Sequence, residues 1–360
     1  MSEIDVLMSV YNCESYILET LQSIQGQSIQ DIRIIIVDDG STDQTAKIIQ
    51  KEAENDPRIF YFYQKNAGIV SALTTGLQYC SAPFIARHDG DDISHPLRFE
   101  KELTYVKENE DCVAVSCYID LIDEKGHAIP RAPYTYPLDT TDPYSFPAVE
   151  PYISQPFLML RADSLHAIGG YRYLRSSEDT DLYWRLRAVG RLHVLPEVLG
   201  TYRIHGNSTT SGSKKNMRQS AVWSQLAAIS EQRRLNNYAD ISFTHDFMTT
   251  LSEAENWRDI LDRAGQQLTE NEKKWLQTAC AAKFLELCKM RATSASKEDL
   301  IFIRTALADN PAISEGAIME MTRLWNSGQR REAILMAIAL KQPKLAARAT
   351  IRNLKKSLTS

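Results

Sequence analysis

The stretch "IRIIIVDDGSTDQT", residues 32–45, decides the fold. Ile34, Ile35 and Ile36 are consecutive, so both faces of the segment are apolar, the pattern of a central parallel strand covered on each side. The run ends in the turn Asp38-Asp39-Gly40-Ser41. There "STDQ" (41–44) has the Ser-x-x-Gln spacing of a capping box, which predicts a helix opening at once. Outward from this unit the same alternation continues. "IDVLMSV" (4–10) reads as a strand followed by a helix through "SYILETLQSIQGQ". "RIFYFY" (58–63) is a third strand, "IVSALTTGLQYC" a helix, and "PFIARH" a fourth strand. Such βαβα order predicts an α/β protein with a mostly parallel sheet flanked by helices. Sheets of this kind bind ligands at the carboxyl ends of their strands.

The fourth strand runs into "ARHDGDDISHP" (86–96), where Asp89, Asp91 and Asp92 crowd into four positions. Like charges this close repel, so either a cation sits among them or the turn is fully solvated. Carboxylate oxygens at Asp-x-Asp spacing suit Mg²⁺ or Mn²⁺, ions that keep other positions for substrate phosphates. The Asp38-Asp39 turn reads as a second part of the same edge, or as a cap in which Asp39 or Ser41 closes the next helix.

Composition narrows the class. A chain of 360 residues, 43% hydrophobic and 24% charged, is an ordinary globular protein long enough for two domains. The net charge of -5 argues against general nucleic-acid binding. Six cysteines without a Cys-x-x-Cys pair read as reduced thiols of a cytoplasmic protein. The start "MSEIDVLMSVYN" does not read as a signal peptide, and no apolar run reaches membrane-spanning length.

Seven of the 13 prolines fall between 130 and 156, interleaved with Tyr134, Tyr136, Tyr144, Phe146 and Tyr152. This is a long surface excursion: either a lid whose aromatics stack on a sugar ring, or a connection with a few packed tyrosines. After "SGSKK" (211–215) strand signals stop and successive helices follow, with Trp223, Trp257, Trp275 and Trp325 as expected core anchors. The chain divides near 213, into a domain of 1–213 and a helical region of 214–360.

In "SSEDTDLYWRLRAVG", Leu182, Leu186 and Val189 recur at helical spacing, and Asp179 falls on the same inward face one turn earlier. A helix N-terminus holds such a carboxylate ionised, ready to accept a proton. Asp181 and Arg185 read as a surface pair four apart. Glu178 reads as a charge that complements the helix N-terminus. His205, in "TYRIHGNST", is by itself a lone histidine of the usual structural kind.

Taken together, "LMSVYNCESYILETLQSIQGQS", "IIIVDDGSTDQT", "NAGIVSALTTGLQYCSAPFIARHDGDDISHPLRFE", "LRADSLHAIGGYR", "SSEDTDLYWRL" and "YRIHGNST" resemble, in order, the bacterial family 2 inverting glycosyltransferases. The resemblance covers residues 4 to about 210 and implies the Rossmann-like GT-A fold of nucleotide-diphospho-sugar transferases. It implies that Asp39 binds a nucleotide base, usually uracil, and that the backbone around Val10 and Tyr11 closes over the nucleoside. Asp89 and Asp91 would hold Mn²⁺ or Mg²⁺ with Asp92 in support, and His205 would complete the metal site. Asp179 would be the general base. The implied reaction moves a sugar from a UDP-sugar, UDP-GlcNAc or UDP-Gal favoured, to a hydroxyl of a lipopolysaccharide- or capsule-type glycan or a lipid-linked acceptor. Two positions depart from the family pattern: Gly90 stands where Ala is usual, and Thr74 where Asn is common. The rival readings are another Mg²⁺-dependent nucleotide enzyme and a non-catalytic sugar-nucleotide-binding scaffold.

The stretch 341–360, "KQPKLAARATIRNLKKSLTS", carries six basic residues and no acid. Drawn as a helix over 343–360 it has a narrow apolar stripe beside a basic face. It docks on its own domain, or rests on anionic lipid at the inner face of the cytoplasmic membrane.

Overall fold

The computed structural model describes residues 2–334, apart from 131–137, 175, 207–213, 292, 294, 308–320, 323, 327, 329 and 331–332. The basic segment 343–360 lies outside the described residues. The chain forms two compact units, Met1–Thr140 with Pro151–Ser211, and Thr141–Glu150 with Gly212–Ser360.

The first unit opens with β1 (Ile4–Val10), α1 (Ile17–Gln25), β2 (Ile32–Asp38), α2 (Thr45–Asn55), β3 (Ile59–Tyr63), α3 (Ile69–Leu77) and β4 (Phe84–Asp89). It continues with β5 (Ile93–Ser94), α4 (Arg98–Glu108), β6 (Cys112–Ile122), β7 (Ala128–Ile129), β8 (Met159–Arg161), α5 (Ala162–Ala167), α6 (Glu178–Arg187) and β9 (Arg191–Arg203). All nine strands join one sheet in the order β3-β2-β1-β4-β8-β6-β9-β5, with β7 paired to β6. β3, β2, β1 and β4 run parallel; β8 inserts antiparallel between β4 and β6, and β9 runs parallel to β6.

The apolar runs explain the layers. β2 is buried along nearly its whole length because helices cover both faces. Ile17, Leu21 and Ile24 of α1, Ile49 of α2 and Phe99, Leu103 and Val106 of α4 share one core. Val70 and Leu73 of α3, Leu165 of α5 and Leu182, Tyr183 and Leu186 of α6 fill the other. Asp5, buried inside β1, is satisfied by a two-pronged pair with Arg33 on β2, both bonds 2.7 Å, and by the backbone N–H groups of Ser81 and Ala82.

Topology then places the site. From β1 the chain steps outward to β2 and β3, and β4 returns on the other side of β1. That reversal opens a crevice at the carboxyl ends of β1 and β4, where ligands bind in such sheets. The register sets Val10 opposite Asp38 and Ser9 opposite Asp89, so the two acidic turns meet at one edge.

Two local readings are corrected. The capping box at 41–44 does not form: α2 starts at Thr45, and Ser41 Oγ instead accepts the Asn12 N–H at 3.0 Å. Asp43 and Glu14 take the backbone N–H groups of Thr45 and Gln44 at 2.9 and 2.7 Å. Val189 lies past the end of α6 and is exposed, because the helix stops at Arg187.

The second unit contains α7 (Lys214–Leu235), α8 (His245–Glu253), α9 (Trp257–Ala264), α10 (Glu270–Met290) and α11 (Lys297–Leu307). Trp223 and Trp257 are core residues, and Trp257 stacks on Phe302. The segment Thr141–Glu150 belongs to this unit. Its Glu150 takes a 3.0 Å bond from the half-buried Lys283, its Ala148 N–H donates to Gln225, and Phe146 packs on the half-buried Trp275. Tyr144 is tied there as well, through Asn236 and Trp275. This part of the proline-rich excursion is tied into the helical unit, while Tyr134 and Tyr136 lie outside the described residues.

Candidate active site

The carboxyl edge of the sheet carries a cleft of about 440 Å³. Val10, Tyr11, Asp39, Asp89, Asp91 and His205 all line it, together with Asn12, Asn66 and Tyr202. A larger cavity of about 520 Å³, lined by Tyr118, Arg187 and 190–194, contains neither acidic turn. The chemistry therefore concentrates in the smaller one.

Asp38 and Asp39 build one wall. Asp38 is fully buried; its Oδ1 accepts the Ser41 N–H at 2.8 Å and its Oδ2 the Tyr61 hydroxyl at 2.9 Å. Asp39 Oδ1 accepts from Gln64 Nε2 and the Ala67 N–H, and Oδ2 from the Gly68 N–H at 2.8 Å. A carboxylate offers about four acceptor positions, so among the described residues one stays open. The turn that follows them needs Gly40: its φ is +80°, and a Cβ there would stand 2.7 Å from the Asn66 backbone nitrogen. Tyr11 is 52% exposed at the mouth of the cleft, a free aromatic face beside these acceptors.

The second turn builds the facing wall. Ligand oxygens of Asp89, Asp91 and Asp92 lie within 4.8 Å of one another. Each has a different partner. Asp89 pairs with the fully buried Arg87, Asp91 Oδ2 sits 2.8 Å from His205 Nε2, and Asp92 Oδ1 accepts the Arg203 N–H at 2.9 Å. Asp92 Oδ2 is buried without a hydrogen-bond partner among the described residues. Burial first, then the charge of Asp89, pushes the Asp91 carboxyl above its ordinary value, while His205 pulls it down. Burial, then Asp91 and Asp89, push Asp92 well up. An orphaned acceptor in a cluster of three carboxyls, two of them raised, is a donor set that a hard divalent cation fits, and the imidazole extends that set toward Mn²⁺.

A buried polar chain holds the turn in place. Arg98, fully buried on α4, donates to Ser94 Oγ at 2.9 Å and to the Arg87 carbonyl at 2.9 Å. His88 Nε2 lies 2.9 Å from Ser94 Oγ, and His88 Nδ1 lies 2.7 Å from the Asp89 carbonyl. A carbonyl only accepts, so Nδ1 carries the proton; burial pushes the imidazole down to about 3 and keeps it neutral. Arg87, His88 and Arg98 escaped the sequence reading because nothing in the local pattern shows that their side chains are buried.

His205 arrives through β5. This two-residue strand directly follows the acidic turn and pairs with Gly200 and Thr201 of β9, which ends beside Asp91. Asp179 lies on the first turn of α6, half-buried, its Oδ1 accepting the Thr180 N–H at 2.7 Å. It does not line the cleft. Glu178 beside it is buried. Burial first, then Asp179, push its carboxyl up to about 8, and the charges of both Arg87 and Asp89 reach it. The start of α6 therefore lies within electrostatic reach of Arg87 and Asp89. Asp181 is no surface residue: it is fully buried, pairing with Arg172 and, at 2.8 Å, with Arg185 Nε. Thr74 lies half-buried on α3 and does not line the cleft; the neighbouring Thr75 donates to Gln64 at 2.8 Å, supporting the Gln64–Asp39 bond.

Residues 5–169 match the family model described as glycosyl transferase family 2. An uncharacterised glycosyltransferase of Haemophilus influenzae is 31% identical over 221 residues, 58% of this chain and 67% of that protein. Escherichia coli chondroitin synthase is 28% identical over 208 residues, 58% of this chain but 30% of its own length. Among solved structures, Staphylococcus aureus TarS 1-349 in complex with UDP-GlcNAc superposes with a TM-score of 0.52 at 19% identity, covering 91% of this chain and 92% of that one. The fold is the GT-A type, a curled mixed sheet flanked by helices and followed by a helical region. The chain belongs to glycosyl transferase family 2 and is a glycosyltransferase.

Proposed function

We propose that the protein transfers a hexosyl or N-acetylhexosaminyl group from a UDP-sugar to a hydroxyl of a bacterial surface polysaccharide or lipid-linked glycan, with inversion. The observation that carries this reading is the convergence of Asp39, Asp89, Asp91 and His205 on one cleft at the switch point of the sheet. The open acceptor position of Asp39 and the exposed ring of Tyr11 suit a uracil, and the backbone at Val10 closes under the ribose. Asp89, Asp91 and His205 would hold Mn²⁺ or Mg²⁺, with Asp92 in support. Such an ion, when bound, neutralises charge on a diphosphate leaving group. Asp179 takes the proton of the attacking hydroxyl, and with no enzyme nucleophile needed the anomeric configuration inverts.

The donor reading is supported by the UDP-GlcNAc of the TarS complex, and the polysaccharide reading by the likeness to chondroitin synthase. UDP-GlcNAc and UDP-Gal are the favoured donors. The test is nucleoside-diphosphate release from a panel of UDP-, GDP- and TDP-sugars with Mn²⁺ and generic sugar acceptors. Release from a UDP-hexose or UDP-N-acetylhexosamine alone supports the reading; turnover confined to GDP- or TDP-sugars would move the base specificity elsewhere.

A further inference from the structure

Tyr16 stands where α1 would be better served by another residue. It is the N-cap of that helix, and its side chain makes no capping hydrogen bond. Ser, Asp or Asn at this position stabilises a helix by about 1 kcal/mol relative to a non-capping residue. The ring is occupied elsewhere. Its centroid lies 4.9 Å from that of the His205 imidazole, and the Arg203 guanidinium lies 4.7 Å from it.

Arg203 in turn ties the end of β9 to the acidic turn and to α1. Its N–H donates to Asp92 Oδ1 at 2.9 Å, its Nε to the Asp91 carbonyl at 3.0 Å, and its Nη2 to Glu19 Oε2 at 2.6 Å. Glu19 sits on the first turn of α1, three residues after Tyr16. The start of α1 thus presents an aromatic ring and a carboxylate to the two residues, Arg203 and His205, that bracket the approach of β9 to Asp91.

We propose that Tyr16 is a positioning residue for the cation site: with Arg203 and Glu19 it clamps the His205 imidazole in the orientation that aims Nε2 at Asp91. This rests on the reading of Asp91 and His205 as ligands of one divalent ion. Holding an imidazole in one rotamer for ligation costs side-chain conformational free energy. A ring packed against it removes that cost beforehand, the role that groups behind a metal ligand commonly serve. The phenol oxygen has no part in this, so the aromatic face alone is required.

The test compares Tyr16→Asn, Tyr16→Phe and His205→Ala in the full chain. Mn²⁺ affinity is measured from the EPR signal of free Mn²⁺ with UDP present, alongside the melting temperature. His205→Ala weakens Mn²⁺ binding. Tyr16→Asn is expected to weaken it about tenfold, within the range seen when a residue behind a metal ligand is removed. Its melting temperature stays level or rises, because Asn is the better cap. Tyr16→Phe keeps wild-type affinity. The clamp is overturned if Tyr16→Asn binds Mn²⁺ like wild type while His205→Ala does not. It is also overturned if affinity and melting temperature fall together in Tyr16→Asn, which marks the ring as ordinary packing. Wild-type affinity in His205→Ala refutes the ligand reading itself, and the clamp with it.

Discussion

Glu178 and Asp179 are neighbours in sequence with opposite surroundings. Glu178 is 6% exposed and its carboxyl is pushed up to about 8, chiefly by burial and next by Asp179. A folded-state value above the unfolded one means the native protein holds this proton more tightly than the unfolded chain does. The resulting stability is full at low pH and is lost as pH rises through about 8. Thermal melts between about pH 5 and pH 8, the window between the ordinary glutamate value and the raised one, should therefore show wild type losing stability relative to Glu178→Gln, whose amide cannot ionise; parallel curves would show that Glu178 is already charged. Asp179 is the half-exposed member of the pair, and its proposed work is proton transfer. Asp179→Asn should lower kcat by about 10²–10⁴-fold while calorimetric affinity for UDP is kept. Loss of UDP binding in step with kcat would make Asp179 a structural residue. At Gly90, an alanine Cβ would stand 3.0 Å from both Cys13 Sγ and Val10 Cγ1, a close approach that glycine avoids.

At the scale of elements, α6 shows what pattern reading resolves and what it does not. Leu182 and Leu186 were legible as its buried face because helical spacing exposes them directly. The burial of Asp181 was not, since one of its two arginine partners, Arg172, lies outside the helix in the turn that follows α5. Removing that carboxylate leaves Arg172 and Arg185 together without their counter-charge. Asp181→Ala should cost about 3–5 kcal/mol in urea denaturation, the usual result of breaking a buried pair from one side. A loss below about 1 kcal/mol would indicate a pair screened by solvent. The parallel strands β1, β2 and β4 were equally legible, because short apolar runs alternating with helical segments predict a parallel sheet. The start of α2 was misread: Ser41 bonds to Asn12, a tertiary contact that outweighs the local capping pattern. His205 was invisible as a site residue from its own surroundings. What carries it to Asp91 is the pairing of β9 with β5, a strand of two residues that no periodicity reveals.

Across the whole molecule, the acidic edge of the sheet is the feature on which the function turns. The helical region was legible as such, but the attachment of Thr141–Glu150 to it was not, because Lys283 and Gln225 lie far along the chain from Glu150 and Ala148. No helix among the described residues is long and apolar enough to cross a membrane. Three carboxylates within 4.8 Å, two of them raised by mutual repulsion and burial, form a site whose charge is balanced when a cation is present. Divalent-ion dependence centred on Asp91 is therefore the property that most directly separates a metal-assisted sugar transfer from an inert acidic turn. The decisive measurement is the initial rate of UDP release from the preferred UDP-sugar, for wild type and Asp91→Ala, with and without excess chelator. Chelation should bring the wild-type rate to background, added Mn²⁺ or Mg²⁺ should restore it, and Asp91→Ala should remain at background throughout. Undiminished wild-type turnover in excess chelator would contradict the assignment of a cation to this turn.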